Sequence, residues 1–300
     1  MFEEKPPRCG YVAIVGRPNV GKSTLLNQIL GQKLCITAHK PQTTRHRILG
    51  IKSEVGIQTL YVDTPGIHGD GKRALNRVLN RSASGAVHDV DAIIFVVQAL
   101  IWSDNDELVL GKLKKSSAPV FVAVNKVDEV PDKEQLFPFL QKLSEMHDFA
   151  GIVPISAKKG RNVEHLETAV NNVLPEQMPI YPEDQLTDRS ERFLAAELVR
   201  EQLTRMLDQE LPYGLSVEIE RFKYENAVNH IHAIIWVERS GQKGIVIGKG
   251  GKQLKEVGTR ARKAMEKLFD NKVNLKLWVK IKQGWADDER ALHSLGYGVE

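Results

Sequence analysis

Long apolar runs are missing from this sequence of 300 residues: a stretch such as Ala92 to Val97 stops far short of the roughly 18 residues a transmembrane helix needs. No bilayer crossing is expected. Nor do the first residues, Met1-Phe2-Glu3-Glu4-Lys5-Pro6-Pro7-Arg8, carry the apolar core of a signal peptide. Cysteine is scarce: Cys9 and Cys35 stand 26 positions apart, which suits a reducing compartment and a cytoplasmic location rather than a disulfide framework. Charge of one sign is in short supply as well. Lys+Arg 42 against Asp+Glu 38 leaves only +4, so a nucleic-acid surface has to be a local patch. Aromatic residues make up 6%, but 42% hydrophobic residues suffice for real cores, and the length fits one large domain or two medium ones.

From residue 11 to 173, short β-branched runs alternate with amphipathic stretches. The runs are Tyr11 to Val15, Ile48 to Ile51, Gln58 to Val62, Ala92 to Val97, Val120 to Val124 and Ile152 to Ile155. Runs such as Ile93-Ile94-Phe95-Val96-Val97 are apolar on both faces, the pattern of strands covered on both sides, and predict an α/β unit with a mostly parallel sheet. Pro175, Pro179 and Pro182 then interrupt the pattern and mark a linker. The expected division is residues 1–176, a linker at 177–189, and a second domain at 190–300. In the second domain a helix from Ser190 to Leu211, strands Leu215 to Phe222 and His230 to Val237, an apolar turn at Gly244 to Gly248, a helix Lys252 to Phe269 and a strand Val273 to Ile281 give an α+β order αββααβ. Charge separates along the chain. Between Arg239 and Lys282 thirteen cations face three acids, net +10, whereas residues 176–214 carry −5.

Gly16-Arg17-Pro18-Asn19-Val20-Gly21-Lys22-Ser23 fits the P-loop pattern and stands where its mechanism needs it, after a strand and opening a helix from Thr24 to Leu30. Backbone N–H groups there would wrap phosphates, Lys22 would reach the β and γ oxygens, and Ser23 would hold magnesium. Asp63-Thr64-Pro65-Gly66 ends the third predicted strand, placing a carboxylate where it could hold magnesium through water and a γ-phosphate sensor beside it. Asn125-Lys126-Val127-Asp128 follows the fifth strand. A carboxylate accepts both N1–H and the exocyclic amine of guanine, while adenine offers an acceptor at N1, so Asp128 selects GTP and GDP. The stem of Lys126 can cover the purine, Asn125 can tie this loop to the P-loop, and Ser156-Ala157-Lys158 would complete the base pocket through backbone contact.

Four such elements in this order resemble the translation-factor-type GTPases. Gly16 to Asn27, Gln42 to Arg47 and Tyr61 to Gly66, with the second module after them, resemble the Era family more closely, over nearly the whole chain. The resemblance implies that Gln42 to Arg47 is the first switch, with Thr44 rather than Thr43 as the magnesium ligand; Lys22 and Thr44 are then the catalytic residues. It implies slow intrinsic turnover, because Ile67 stands where Ras-type enzymes carry the water-orienting glutamine. It makes Asn19 a candidate ligand for a potassium ion. The turn Gln98-Ala99-Leu100-Ile101-Trp102 departs from the family pattern, and no phosphate or base ligand is expected there.

Gly248-Lys249-Gly250-Gly251 precedes a basic helix, and glycines let a nucleic-acid backbone approach. With the αββααβ order and the +10 segment, it resembles a type II KH domain. Lys249 and Lys252 would then meet the sugar-phosphate chain, and Ile245, Val246 and Ile247 would line an apolar groove. Trp285, beside Gly284, is expected to stack on bases in preference to Trp236 and Trp278, which fall in predicted strands. Arg73, Arg77 and Arg81 share one helix face, expected to be solvated. The Era resemblance implies binding of the 3′ end of 16S ribosomal RNA, a role in 30S subunit assembly, a monomeric protein and peripheral contact with the inner membrane. A competing reading is a membrane-associated signalling GTPase whose second module binds a protein.

Overall fold

Strands that are apolar on both faces need cover on both sides. In the computed structural model, which describes residues 6–38, 43–66, 75, 79, 89–207 and 214–294, the first half of the chain meets that need. The chain divides into one unit of Met1–Cys35, Thr44–Gly71 and Asn76–Asp188 and a second of Ile36–Thr43, Lys72–Leu75 and Arg189–Glu300.

The first unit runs β1 (Arg8–Val15), α1 (Lys22–Leu30), β2 (Ile48–Glu54), β3 (Ile57–Asp63), β4 (Ala92–Gln98), α2 (Asp104–Leu113), β5 (Val120–Asn125), α3 (Leu136–Ser144), β6 (Gly151–Pro154) and α4 (Val163–Asn171). Its six strands lie in the order β2-β3-β1-β4-β5-β6. All neighbours are parallel except β2 and β3, so an antiparallel strand closes one edge. Ile93, Phe95 and Val97 of β4 pack with Val109, Leu110 and Leu113 of α2 and Leu143 of α3. Ile94 and Val96, pointing to the opposite face, are fully buried too. Several strand limits coincide with the expected ones, at Val15, Ile48, Ala92 and Val120; most of the others extend one to three residues further, because a strand continues past its apolar run as long as its neighbour offers hydrogen bonds. The proline-rich stretch is tied down rather than loose. Gln58 on β3 accepts from the N–H groups of Ile180 and Tyr181 at 2.8 and 2.9 Å and donates to the Tyr181 carbonyl at 2.8 Å.

The second unit runs α5 (Glu191–Met206), β7 (Leu215–Glu225), β8 (Val228–Val237), α6 (Ser240–Ile247), α7 (Lys252–Phe269), β9 (Lys272–Ile281) and α8 (Glu289–Ser294). Ser190 caps α5, its hydroxyl accepting from the Phe193 N–H at 3.3 Å. β7 and β8 are antiparallel and joined through Asn226 and Ala227, both at positive φ, as tight hairpins require. β9 adds in parallel. One face of the sheet is packed: Ile231, Ala233, Ile235 and Val237 of β8 are fully buried, as are Val257, Ala261 and Met265, spaced four apart on α7. Gly244 to Ile247, expected as a turn, is instead the last turn of α6. A four-residue apolar run carries too little periodicity to distinguish the two. Residues 36–43 group with this unit: the Thr37 N–H donates to Glu201 at 3.0 Å, and Arg205 Nε donates to the Thr37 carbonyl at 3.0 Å.

Candidate functional site

Gly16 to Gly21 connects β1 to α1 at the carboxyl edge of the parallel strands, where α/β sheets bind ligands. Gly21 caps α1 at φ 102°, and a Cβ there would lie 2.3 Å from Asn125 Nδ2, so only glycine lets the base loop and the P-loop approach. Asn125 joins them directly: its Nδ2 donates to the Val20 carbonyl at 2.8 Å, and its Oδ1 accepts from the Ala157 N–H at 2.9 Å. Lys22 is buried, with Nζ donating to the carbonyls of Gly16 and Arg17 at 3.1 and 3.0 Å. Burial pushes its ammonium down to about 8, against the opposing pull of Asp63. A cation held this way is short of counter-charge and ready for phosphate oxygens.

Three hard oxygen ligands converge beside it. Ser23 Oγ donates to Asp63 Oδ2 at 2.7 Å, and the single proton of Thr44 Oγ1 serves Ser23 Oγ at 2.7 Å or Asp63 Oδ2 at 3.3 Å. Asp63 is completely buried, and its Oδ1 accepts from neither hydroxyl. Burial pushes the carboxyl upward, countered by Lys22 and by the hydroxyls of Ser23 and Thr44. Two hydroxyls and one carboxylate fit a magnesium ion, which prefers oxygen donors and keeps several waters. Thr64 donates its hydroxyl to the Ile14 carbonyl at 3.0 Å. Ile67 lies outside the described residues, as do Arg73, Arg77 and Arg81.

At the base end, Asp128 is exposed and the Ser156 hydroxyl, with Lys158 and Lys159 near, holds its carboxyl below the usual range. It is an ionised acceptor pair facing solvent, the arrangement a guanine edge requires. Lys126, at φ 67°, extends Nζ to Gln98 Oε1 at 3.2 Å. Gln98 also accepts from Arg17 Nη2 at 3.4 Å, and Arg17 Nε pairs with the buried Asp106 at 3.0 Å. The end of β4 and the first turn of α2 thus brace the site from behind without supplying a phosphate or base ligand. Gln98, paired in register with Asn125, links the base loop to the P-loop, and Asp106 anchors Arg17 from the first turn of α2. Sequence reasoning missed both; the available signal was that Gln98 ends a strand at the same sheet edge as the known motifs.

In the second unit Gly248, Gly250 and Gly251 take φ of 71°, 61° and 75° between α6 and α7. Lys249, Gly250 and Lys252 are exposed, a Cβ on Gly250 would meet nothing within 4 Å, and Ile245 is 55% exposed beside a half-buried Ile247. Val246 points into the core and is withdrawn from the expected groove. The tryptophans exchange places: Trp285 is fully buried and cannot stack on a base, whereas Trp278 is 40% exposed. The flanking glycine suggested a loop surface, but the indole packs inward; Trp278 falls on the uncovered face of its strand.

Residues 11–126 match the family described as "50S ribosome-binding GTPase" and residues 210–286 the family described as "KH domain". GTPase Era of Pseudomonas putida (strain W619) is 59% identical over 298 residues, 99% of each chain, and that of Azotobacter vinelandii is 60% identical over 297 residues. Two solved structures superpose with a TM-score of 0.94 at 38% identity. One is an Aquifex aeolicus Era variant bound to GDP and aluminium fluoride, covering 97% of this chain and 100% of that one. The other is Era in complex with MgGDPNP and nucleotides 1506–1542 of 16S ribosomal RNA, covering 98% of this chain and 100% of that one. The chain therefore belongs to the Era family of GTPases, a P-loop GTPase domain followed by a KH domain.

Proposed function

We propose that this GTP-hydrolysing protein is a nucleotide-controlled RNA binder that grips the 3′ end of 16S ribosomal RNA and assists 30S subunit assembly. Residues 1–176 would carry the nucleotide, 177–189 would link, and 190–300 would hold RNA. The observation that carries the reading is the exposed Gly248-Lys249-Gly250-Gly251 loop opening the basic helix α7. The Era structure that contains a 16S ribosomal RNA fragment, matched over 98% of this chain, supports it.

Phosphoryl transfer asks the protein for positioning and charge rather than covalent chemistry. Lys22 would exchange the Gly16 and Arg17 carbonyls for β and γ oxygens, the N–H groups from Gly21 to Thr24 would wrap the phosphates, and Asp128 would read guanine. Bound magnesium, held by Ser23, Thr44 and, through water, Asp63, would neutralise charge on the phosphates. The γ-phosphate would hold the Thr44 and Gly66 segments, and its loss would release them.

Anisotropy of a labelled 3′-terminal ribosomal oligonucleotide against a scrambled one, each with GDP or a non-hydrolysable GTP analogue, tests the reading. Sequence-selective binding that tightens in the GTP state supports it; binding indifferent to both sequence and nucleotide refutes it. A potassium ion near Asn19 is proposed as an accelerator, expected to give faster turnover in potassium than in sodium. Equal rates in the two salts, or an unchanged ratio in Asn19→Ala, would remove that ion from the mechanism.

A further inference from the structure

Among the described residues, no helix of the second unit packs on the outer face of its sheet. Leu277 of β9 lies against α7, where a Cβ on Gly258 would come within 3.3 Å of it, so Trp278 points the other way. On that outer face the register sets His232 beside Lys276, Ile234 beside Trp278 and Trp236 beside Lys280. The rings are held in place. His232 meets Trp278 edge to face with centroids 5.1 Å apart, and the Trp236 indole N–H donates to Glu218 at 2.8 Å. Lys280 and Lys282 place their ammonium groups 6.0 and 5.9 Å from the Trp236 ring.

Cations surround these rings. Arg221 stands opposite His232 and Lys223 opposite His230. Lys276 makes no ion pair among the described residues. The acids of the face are already engaged: Glu225 by Lys223 and Arg221, Glu220 by Lys280 at 3.8 Å, Glu218 by Trp236. Partial burial, then Lys276 and Arg221, hold His232 below its ordinary value, so at neutral pH it is an uncharged ring in a positive field. Lysine is depleted from protein interfaces, whereas rigid exposed rings interleaved with lysine suit unpaired bases and their phosphates.

We propose that the outer face of the β7-β8-β9 sheet is a second nucleic-acid surface, on which bases of single-stranded RNA stack against Trp278 and His232 while Lys276, Lys280 and Arg221 meet the phosphates. The proposal rests on the RNA-binding reading above and extends it to a longer stretch of RNA than the four or so nucleotides a KH loop clamps.

The test measures anisotropy of two RNAs with the full chain: a 3′-terminal oligonucleotide of about six nucleotides and one of about 20 with unpaired flanks. Variants are Trp278→Ala with Lys276→Ala, Trp278→Phe alone, and Gly250→Asp, with circular dichroism to verify folding. The double variant is expected to weaken the long RNA by about tenfold, as loss of one stacked base does, and to leave the short one unchanged. Trp278→Phe should retain most of the affinity. Gly250→Asp should weaken both RNAs. If Gly250→Asp weakens both while the double variant binds the long RNA normally, the second surface is refuted and the RNA reading stands. Equal loss on short and long RNA in the double variant would also refute it, since a single groove would explain that. Normal RNA binding with impaired binding to small subunits would assign the face to a protein instead. If Gly250→Asp affects neither RNA, the underlying reading itself falls.

Discussion

Lys22 shows how one buried side chain couples the site to pH. Its ordinary value of 10.5 is pushed down to about 8 by burial. Between these two values the unfolded chain binds more protons than the folded one, so this residue's contribution to stability rises with pH through that window and is least favourable below pH 8. The depression corresponds to roughly 3 kcal/mol of buried charge. Phosphates remove that penalty by holding the ammonium protonated. GDP binding at pH 9 is therefore expected to take up close to one proton and at pH 7 close to none, read by calorimetry in buffers of different ionisation enthalpy. Proton uptake that persists in Lys22→Ala would assign it elsewhere. The glycines, Lys22, Asp63, Asn125 and Asp128 were legible because each sits at a motif spacing and a strand end. Gln98 and Asp106 were not, because their role exists only once β4 lies beside β5 and α2 brings a carboxylate to Arg17.

Among the elements, β3 and the proline-rich stretch are joined through one side chain. Gln58 satisfies three backbone groups of Ile180 and Tyr181 from a position that is 1% exposed. Replacing it by alanine leaves those groups unpaired and should cost about 1–3 kcal/mol, with faster hydrogen exchange at the Ile180 and Tyr181 amides. Unchanged protection there would show that water takes over the role of Gln58. Strands and long helices were readable from their periodicity, but α5 ends at Met206 rather than at the expected Leu211, Leu207 being already extended. α7 is the strongest case, its stripe Val257, Ala261, Met265 and Phe269 being buried as the spacing requires. The fate of short segments was less legible: Gly244 to Ile247 became helix and Trp285 became core, since burial depends on neighbours distant in the chain.

At the scale of the whole molecule, a net charge of +4 conceals a segment of +10, and that segment folds into α6, the loop after it, α7 and β9. RNA affinity should accordingly fall steeply with salt. Removing Lys249, Lys252 and Lys255 together should reduce the slope of log affinity against log salt by about 2, at roughly 0.7 per phosphate contact on single strands. An unchanged slope would place the phosphate contacts elsewhere. By itself the amino-acid sequence determined the fold class, the GTPase motifs, the choice of guanine and the basic module, because periodicity, glycine spacing and local charge are properties of neighbours along the chain. Only the tertiary structure decided that Gln98 bridges two loops and that Trp278 rather than Trp285 meets solvent. Those outcomes depend on which sheet face is covered and which strand ends lie side by side, and these are set by packing between segments far apart in sequence.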